Sequence, residues 1–416
     1  MSIGKWFPPP GDTVCLQKWS QVSLYLWENK SSSCHRNQNA EIPDDYDFNN
    51  TAPVVEHREK MLRSEWPSDG RGCEHCRDQE QAGGMSDRLN YLSRPDNARY
   101  VPVELLKNPR ATKVKPTQLS VHFNNKCNLK CLYCGPNLSS AWVNEVDQYE
   151  NIKDERTFNL DPWLLDSKYK QRLAKFYEWM ENNYSSLKAF DLLGGEPFIQ
   201  TETWDCVDWM IAHPNKECDV EIYSNMQVKP ILFQRGMNKL RELSKTVKEI
   251  RFVASVDCWG PASEYIRHGM DLATFEENMN YLVTECPEII PTVNATVSSL
   301  SIPYIPELIK KMIEWQNKAN RPLSVNYNKC IDPVIYDPHN MPKGTFTAYI
   351  EEILTLNEQL MHSDSVSTLY TKGIFNEIEN APPNLEEIAN LKRRLDILDS
   401  RRGTDWKEMF PWLVSL

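Results

Sequence analysis

Three cysteines stand at Cys127-x3-Cys131-x2-Cys134, within the run Cys127-Asn128-Leu129-Lys130-Cys131-Leu132-Tyr133-Cys134. Thiolates are the natural ligands of iron-sulfur clusters, and three of them on a cubane leave its fourth iron open to an outside ligand. The same residues also suit two other chemistries: a partial zinc site, or three unconnected cysteines buried as small apolar groups. A zinc site calls for a fourth nitrogen or sulfur nearby, and the next residues, Gly135 to Ser140, offer none. Alternating residues from Gln118 to Phe123 predict a strand, and Asn124 and Asn125 open a polar loop, so the thiols are expected on a loop at a strand end.

A second group of thiols precedes the first: Cys15, Cys34 and the Cys73-Glu74-His75-Cys76 pair. Ser23 to Trp27 alternates as one strand of a hairpin, which would bring Cys15 and Cys34 together. The N-terminal hundred residues have too little apolar content for a core of their own, so bound metal is expected to supply the missing stability. A structural zinc site uses the same four thiols, with His35 as a reserve ligand. Seven of the twelve cysteines thus fall into two motif groups, a pattern of metal ligation more than of disulfides.

The elements that must position these groups are legible as a series. Strands are predicted at 118–123, 187–193, 220–223, 249–256, 292–297 and 323–327, with helical patterns between them, such as Ile305, Leu308, Ile309, Met312 and Trp315 on one face. Alternation of strand and helix predicts an α/β fold with a parallel sheet. Polar residues close most strands: Gly194-Gly195-Glu196-Pro197 after the second, Ser224-Asn225 after the third, Asp257 after the fourth, Ser298 after the fifth and Asn328 after the sixth. Two amphipathic helices, 346–360 and 385–398, follow across a polar stretch containing Pro382 and Pro383, and are read as a helical cap.

The chain of 416 residues carries a formal net charge of −11, which gives no electrostatic footprint for duplex nucleic acid. Lys107, Arg110, Lys113 and Lys115 form a short basic stretch that reads as a solvated linker. No apolar run is long enough to span a bilayer and the start lacks a signal peptide's apolar segment, so a soluble, cytoplasmic protein with no membrane partner is expected.

The spacing of Cys127, Cys131 and Cys134, with Tyr133 before the last cysteine and a Gly-Gly-Glu-Pro one βα unit later, resembles the radical S-adenosylmethionine (radical SAM) superfamily. The resemblance covers residues of roughly 115–335 and implies a partial (β/α)6 barrel holding a 4Fe-4S cluster through Cys127, Cys131 and Cys134. It also implies that Tyr133 lies beside the adenine of SAM, that Gly194, Gly195, Glu196 and Pro197 receive its amino group, and that Ser224, Asn225, Ser255 and Asp257 hold its ribose and carboxylate. Arg267, in Glu264-Tyr265-Ile266-Arg267-His268-Gly269, would approach the carboxylate, although ordinary helix-surface charge accounts for it equally well. Asn294, Ser298, Asn326 and Asn328 would line the substrate side, or simply satisfy turns.

The order Cys15, Trp19, a hairpin, Cys34-His35, Glu65-Trp66-Pro67, Cys73-x2-Cys76, Glu80, Ser86 and Arg88 resembles the twitch domain, a shortened relative of the SPASM domain. That implies an auxiliary 4Fe-4S cluster on Cys15, Cys34, Cys73 and Cys76, here ahead of the barrel, where such domains usually follow it. The domains implied are 1–105 for the auxiliary cluster, 115–335 for the barrel and 340–416 for the cap. In function, the resemblance implies reductive cleavage of SAM to a 5′-deoxyadenosyl radical, with an electron from an external donor such as flavodoxin or ferredoxin. Its substrate would be a peptide or a small amino-containing metabolite. A radical isomerase acting on an aminoacyl-modified thymidine in bacteriophage DNA hypermodification, in the host cytoplasm, is an alternative by analogy, and a zinc-stabilised binding scaffold is the alternative without catalysis.

Overall fold

The computed structural model describes residues 11–34, 40–70, 72–81, 83–148, 168–360, 372–378 and 382–416. His35 lies outside the described residues. In chain order the strands are β1 (Gln21–Tyr25), β2 (Lys30–Ser32), β3 (Ala40–Glu41), β4 (Gln118–His122), β5 (Lys130–Cys131), β6 (Ala189–Leu193), β7 (Asn215–Ser224), β8 (Val247–Ser255), β9 (Arg267–His268), β10 (Ile289–Val297) and β11 (Ser324–Lys329).

The main sheet runs β11-β10-β8-β7-β6-β4-β1-β2-β3. Its six strands from β4 to β11 are mutually parallel and lie side by side in chain order, consistent with the partial (β/α)6 barrel that the sequence resemblance implies. Helices Thr201–Ala212, Pro230–Leu243, Leu272–Glu285 and Ile305–Ala319 fill the connections from β6 to β11. Side chains alternate across a strand, so one set faces these helices and the other faces the lumen. Phe190, Leu192, Ile250 and Phe252 belong to the outer set, where Phe198, Phe233 and Phe252 pack with ring centroids 5.3–5.6 Å apart.

The inner set is polar. Register aligns Gln118, Ala189, Asp219 and Glu249 in one layer and Ser120, Asp191, Glu221 and Arg251 in the next. Ser120 Oγ donates to Asp191 at 2.7 Å, and Arg251 Nη1 donates to Glu221 at 3.2 Å. Burial, and then the neighbouring Glu221, pushes the Asp191 carboxyl up to about 7. Between the strand N-termini and the N-terminal segment is a cavity of about 200 Å³, lined in part by Gln17, Tyr91, Tyr100, Asp219 and Glu249.

The expected hairpin is present: β1 pairs antiparallel with β2, while Trp27 falls in the following turn, Leu26–Glu28. The other edge of β1 pairs in parallel with β4, so the cysteine-rich segment extends the barrel sheet directly. A small second core also forms there, where little apolar content was expected. Trp19, Met61, Leu62, Leu92, Leu105 and Val114 come together around Cys15 and Cys73, because contributions scattered over a hundred residues converge in space. Beneath it, the fully buried Arg58 guanidinium donates to Lys18 O, Asn49 Oδ1, Asn50 Oδ1 and Thr112 O at 2.8–3.0 Å and lies 5.7 Å from the Trp19 ring.

The two helices expected after the barrel are present as Thr347–Asn357 and Leu385–Arg402, and the short helices Trp406–Met409 and Pro411–Val414 follow them. Asn384 caps Leu385–Arg402 by accepting from Glu387 N, and Gly403 ends it at φ +67°. The side chains of Lys107, Arg110, Lys113 and Lys115 are exposed, but the stretch is no free linker: Val114 is buried in the second core and Thr112 O accepts from Arg58. Among the described residues no helix is long and apolar enough to cross a membrane.

Arg58→Ala strands four acceptors, the buried Lys18 O and Asn49 Oδ1 among them, and is expected to cost about 2–3 kcal/mol in denaturant unfolding of the full chain. The exposed Arg63→Ala should leave the midpoint within about 0.5 kcal/mol of the parent; equal effects from the two would refute the buried network's role.

Candidate active site

Parallel pairing of β4 with β6 carries the cysteine loop and the Gly-Gly-Glu-Pro turn off the same edge of the sheet. Their backbones are laced together: Gly195 N donates to Asn124 O at 3.1 Å and Glu196 N to Lys126 O at 2.8 Å. A Cβ at Gly195 would lie 2.4 Å from Lys126 O and 2.6 Å from Asn125 O, and one at Gly194, where φ is +134°, would lie 2.8 Å from Asn124 O. The glycines were expected to admit a ligand. In the structure they admit the cysteine loop itself.

Glu196 is buried, and its carboxylate accepts from Phe198 N at 3.0 Å, Ser224 Oγ at 2.9 Å and Asn225 N at 2.6 Å. Burial pushes its carboxyl up to about 7 against those donors, so a cation placed here would be favoured by ionising it. Pro197 opens the short 3-10 turn Pro197–Ile199 that supplies the Phe198 amide. Ser224 is committed to Glu196, whereas the Asn225 side chain reaches Cys127 Sγ at 3.8 Å and Asn128 Oδ1 at 3.0 Å.

The three thiols share one pocket. The mutual influence of Cys131 and Cys134 lowers the first thiol and raises the second, and Cys127, pushed up to about 12 by burial, feels Cys131. Leu129 N points at Cys127 Sγ at 3.5 Å, and Trp142 Nε1 holds Cys131 O at 2.9 Å. Three thiolates in so dry a place repel one another and need a strongly cationic centre, and a cluster meets that requirement. Among the described residues no three His, Cys, Asp or Glu side chains close on one point as a single ion requires; the thiolates of a cubane bind different irons.

Arg267 is not the surface charge that one reading made it, and Asp257, expected at the ribose or carboxylate of SAM, is bound to protein donors. Asp257 is fully buried at the end of β8 and grips Arg267 in a fork, Oδ1 to Nη2 at 2.8 Å and Oδ2 to Nε at 3.0 Å. It also accepts from the Tyr133 hydroxyl at 2.7 Å and from Thr296 N at 2.9 Å, so its oxygens are occupied by protein donors. Arg267 sits in β9, which pairs antiparallel with β5 so that Arg267 stands opposite Cys131. This two-stranded clip and the Leu132 N to Ile266 O bond at 2.9 Å fasten the cysteine loop to the segment after β8.

Ser255 lies half-buried on β8 opposite Asn294 of β10, whose side chain accepts from Asn328 at 2.7 Å. Asn326 faces Asn294 in register, while Ser298 is buried in a turn with Ser301. The lumen thus receives Asn294, Asn326 and Asn328, and Ser298 is turn polarity.

The four N-terminal thiols also gather. Cys15 is raised by burial and then by Cys34, Cys76 and Cys73, and burial pushes Cys76 up to about 11. Cys73 and Cys76 lie in the first turn of helix Cys73–Gln81. Glu80 accepts from Ser86 Oγ at 2.5 Å and from Arg88 Nε at 2.9 Å, and Arg88 Nη1 continues to Asp12 O and Val14 O, next to Cys15. The Arg88 guanidinium lies 5.3 Å from the Trp66 ring. The residues that marked the motif therefore bracket the thiols.

Sequence reasoning missed the brace behind the loop. Glu145, buried on helix Ser140–Gln148, binds Lys130 Nζ at 2.7 Å and Arg402 Nε at 3.2 Å, and the Arg402 guanidinium stacks 4.7 Å from the Trp142 ring. Burial works against ionising Glu145, and its cationic partners overcome it. No local pattern connects positions 257 residues apart. Glu145→Ala is expected to cost about 3–5 kcal/mol by stripping Lys130 and Arg402 of their shared carboxylate. Iron uptake on reconstitution should fall with it; unchanged unfolding and iron content would show that the brace is idle.

No protein-family profile matches the sequence, and no curated protein does. Among solved structures, Streptococcus suis SuiB bound to the precursor peptide SuiA aligns at 15% identity over 64% of this chain and 51% of that one, with a TM-score of 0.39. SuiB bound to S-adenosylmethionine aligns at 16% identity over 77% and 63%, with a TM-score of 0.38. TYW1 with a lysine-pyruvate adduct bound aligns at 13% identity over 57% and 70%, with a TM-score of 0.30. The chain thus spans less than two thirds of SuiB. The three-cysteine loop leaves the end of the first strand of the six-stranded parallel sheet and Gly-Gly-Glu-Pro the end of the second, which is the arrangement that the sequence resemblance implies.

Proposed function

We propose that this chain is a radical SAM enzyme whose open-corner cluster is held by Cys127, Cys131 and Cys134. The observation that carries the reading is the gathering of those three thiols with Glu196 and the Asp257–Arg267 pair at one edge of a parallel sheet. When bound, a reduced cluster supplies one electron to the sulfonium of SAM, releasing methionine and a 5′-deoxyadenosyl radical that takes a hydrogen atom from substrate.

The chain's own residues bind and orient. Glu196, fixed by three donors, offers a buried negative charge to the methionyl ammonium at the strand end that Gly194, Gly195 and Pro197 shape. Ser224 acts through Glu196, and Asn225 through Cys127. Tyr133 presents an aromatic ring fixed by its hydroxyl to Asp257, a suitable neighbour for adenine.

The substrate would be a peptide or a small amino-containing metabolite, the classes that the radical SAM resemblance implies. Cys15, Cys34, Cys73 and Cys76 would hold an auxiliary 4Fe-4S cluster, closed by four protein ligands and suited to electron transfer or bracing. The electron for SAM cleavage would come from an external donor of the flavodoxin or ferredoxin kind.

Anaerobic reconstitution, iron and sulfide counting and a dithionite assay for 5′-deoxyadenosine test this reading on the parent and on the triple alanine variant of Cys127, Cys131 and Cys134. About eight irons with SAM cleavage, falling to about four irons with none, are expected. Zinc in place of iron, with no cleavage, would instead make the chain a metal-stabilised scaffold.

A further inference from the structure

The sequence offers two roles for Arg267, surface charge and a hold on the SAM carboxylate, and the geometry points to another. Its guanidinium is buried, with two of its three nitrogens spent on Asp257, Nη2 at 2.8 Å and Nε at 3.0 Å. The third, Nη1, points at Cys131 Sγ at 4.0 Å. This aim rests on more than one side-chain rotamer. Antiparallel pairing of β9 with β5 sets Arg267 across from Cys131 in the backbone register, and the Tyr133 ring lies 5.7 Å from the guanidinium with its hydroxyl on the same Asp257. Asp257 is itself pinned by Thr296 N at 2.9 Å.

We infer that Arg267 is a positioning residue that sets the reduction potential of the cluster held by Cys127, Cys131 and Cys134, with Asp257 controlling how much of its charge the cluster feels. The inference rests on the radical SAM reading above. One electron arrives from the external donor and no bond changes in the step concerned. The cluster and its thiolates become more negative by one charge, and a cation or N–H donor at a ligand sulfur stabilises that state more than the oxidised one. In so buried a place the interaction is poorly screened. Arg267 therefore makes the first electron easier to accept, and the carboxylate beside it moderates the effect.

The experiment is an EPR-monitored reductive titration of the reconstituted full chain, following the cluster signal that changes when SAM is added, with iron and sulfide counted in parallel. Arg267→Met should move the midpoint to more negative potential, and Arg267→Lys, which keeps the charge, should return it part of the way. Asp257→Asn should move it the other way, because the cation remains and its counter-charge is gone. Opposite shifts from the two sites are what a merely structural role would not produce. An Arg267→Met protein that holds its iron with an unchanged midpoint overturns the inference. If that variant fails to take up iron, Asp257→Asn decides: a less negative midpoint supports the inference, and an unchanged or more negative one overturns it. If the parent itself takes up no iron, the radical SAM reading fails and this inference falls with it; a loaded parent with unmoved variants removes the inference alone.

Discussion

The contact between the Gly195 backbone and the carbonyls of Asn125 and Lys126 governs the rest of the site. β4 and β6 are parallel neighbours, so the loops leaving them would diverge unless something drew them together. Two backbone hydrogen bonds do so, at a separation that no side chain could tolerate. From that point the geometry propagates in both directions. Glu196, the next residue, turns its carboxylate under the end of β7, and Cys127, the residue after Lys126, starts the thiol triad.

The cysteine loop has little structure of its own and is held from outside on three sides. The β6 glycines support its beginning, the β5–β9 clip fixes its middle, and Trp142 and Glu145 hold it from behind. Each support belongs to a different part of the chain. Such distribution gives a ligand loop its rigidity, since short polar loops lack the apolar contacts to fix themselves.

Sheet architecture was legible in the sequence because its signals are local. Strand periodicity, the glycines at 194 and 195 and the cysteine spacing each occupy fewer than a dozen residues, and six strands fell in the predicted order. Boundaries were less so: β7 begins at Asn215, ahead of the strand predicted at 220–223, because pairing with β8 captures the earlier residues through a register shift. What pairs distant segments left no trace. The parallel match of β1 with β4, the Asp257 fork on Arg267 and the stacking of Arg402 on Trp142 all depend on three-dimensional proximity. Arg267 illustrates the point well. An arginine after a short helix resembles any solvated one in sequence, and only the buried carboxylate beside it reveals a different role.

The brace of Arg402 on Glu145 also has a temporal meaning. A chain made from its N-terminus exposes the three loop cysteines long before helix Leu385–Arg402 exists. During that interval Lys130 and Glu145 pair without the second cation, and Trp142 lacks its stacking partner. A nascent chain that still lacks helix Leu385–Arg402 therefore carries a thiol loop without this brace, and any step that depends on the braced loop waits until that helix has been made.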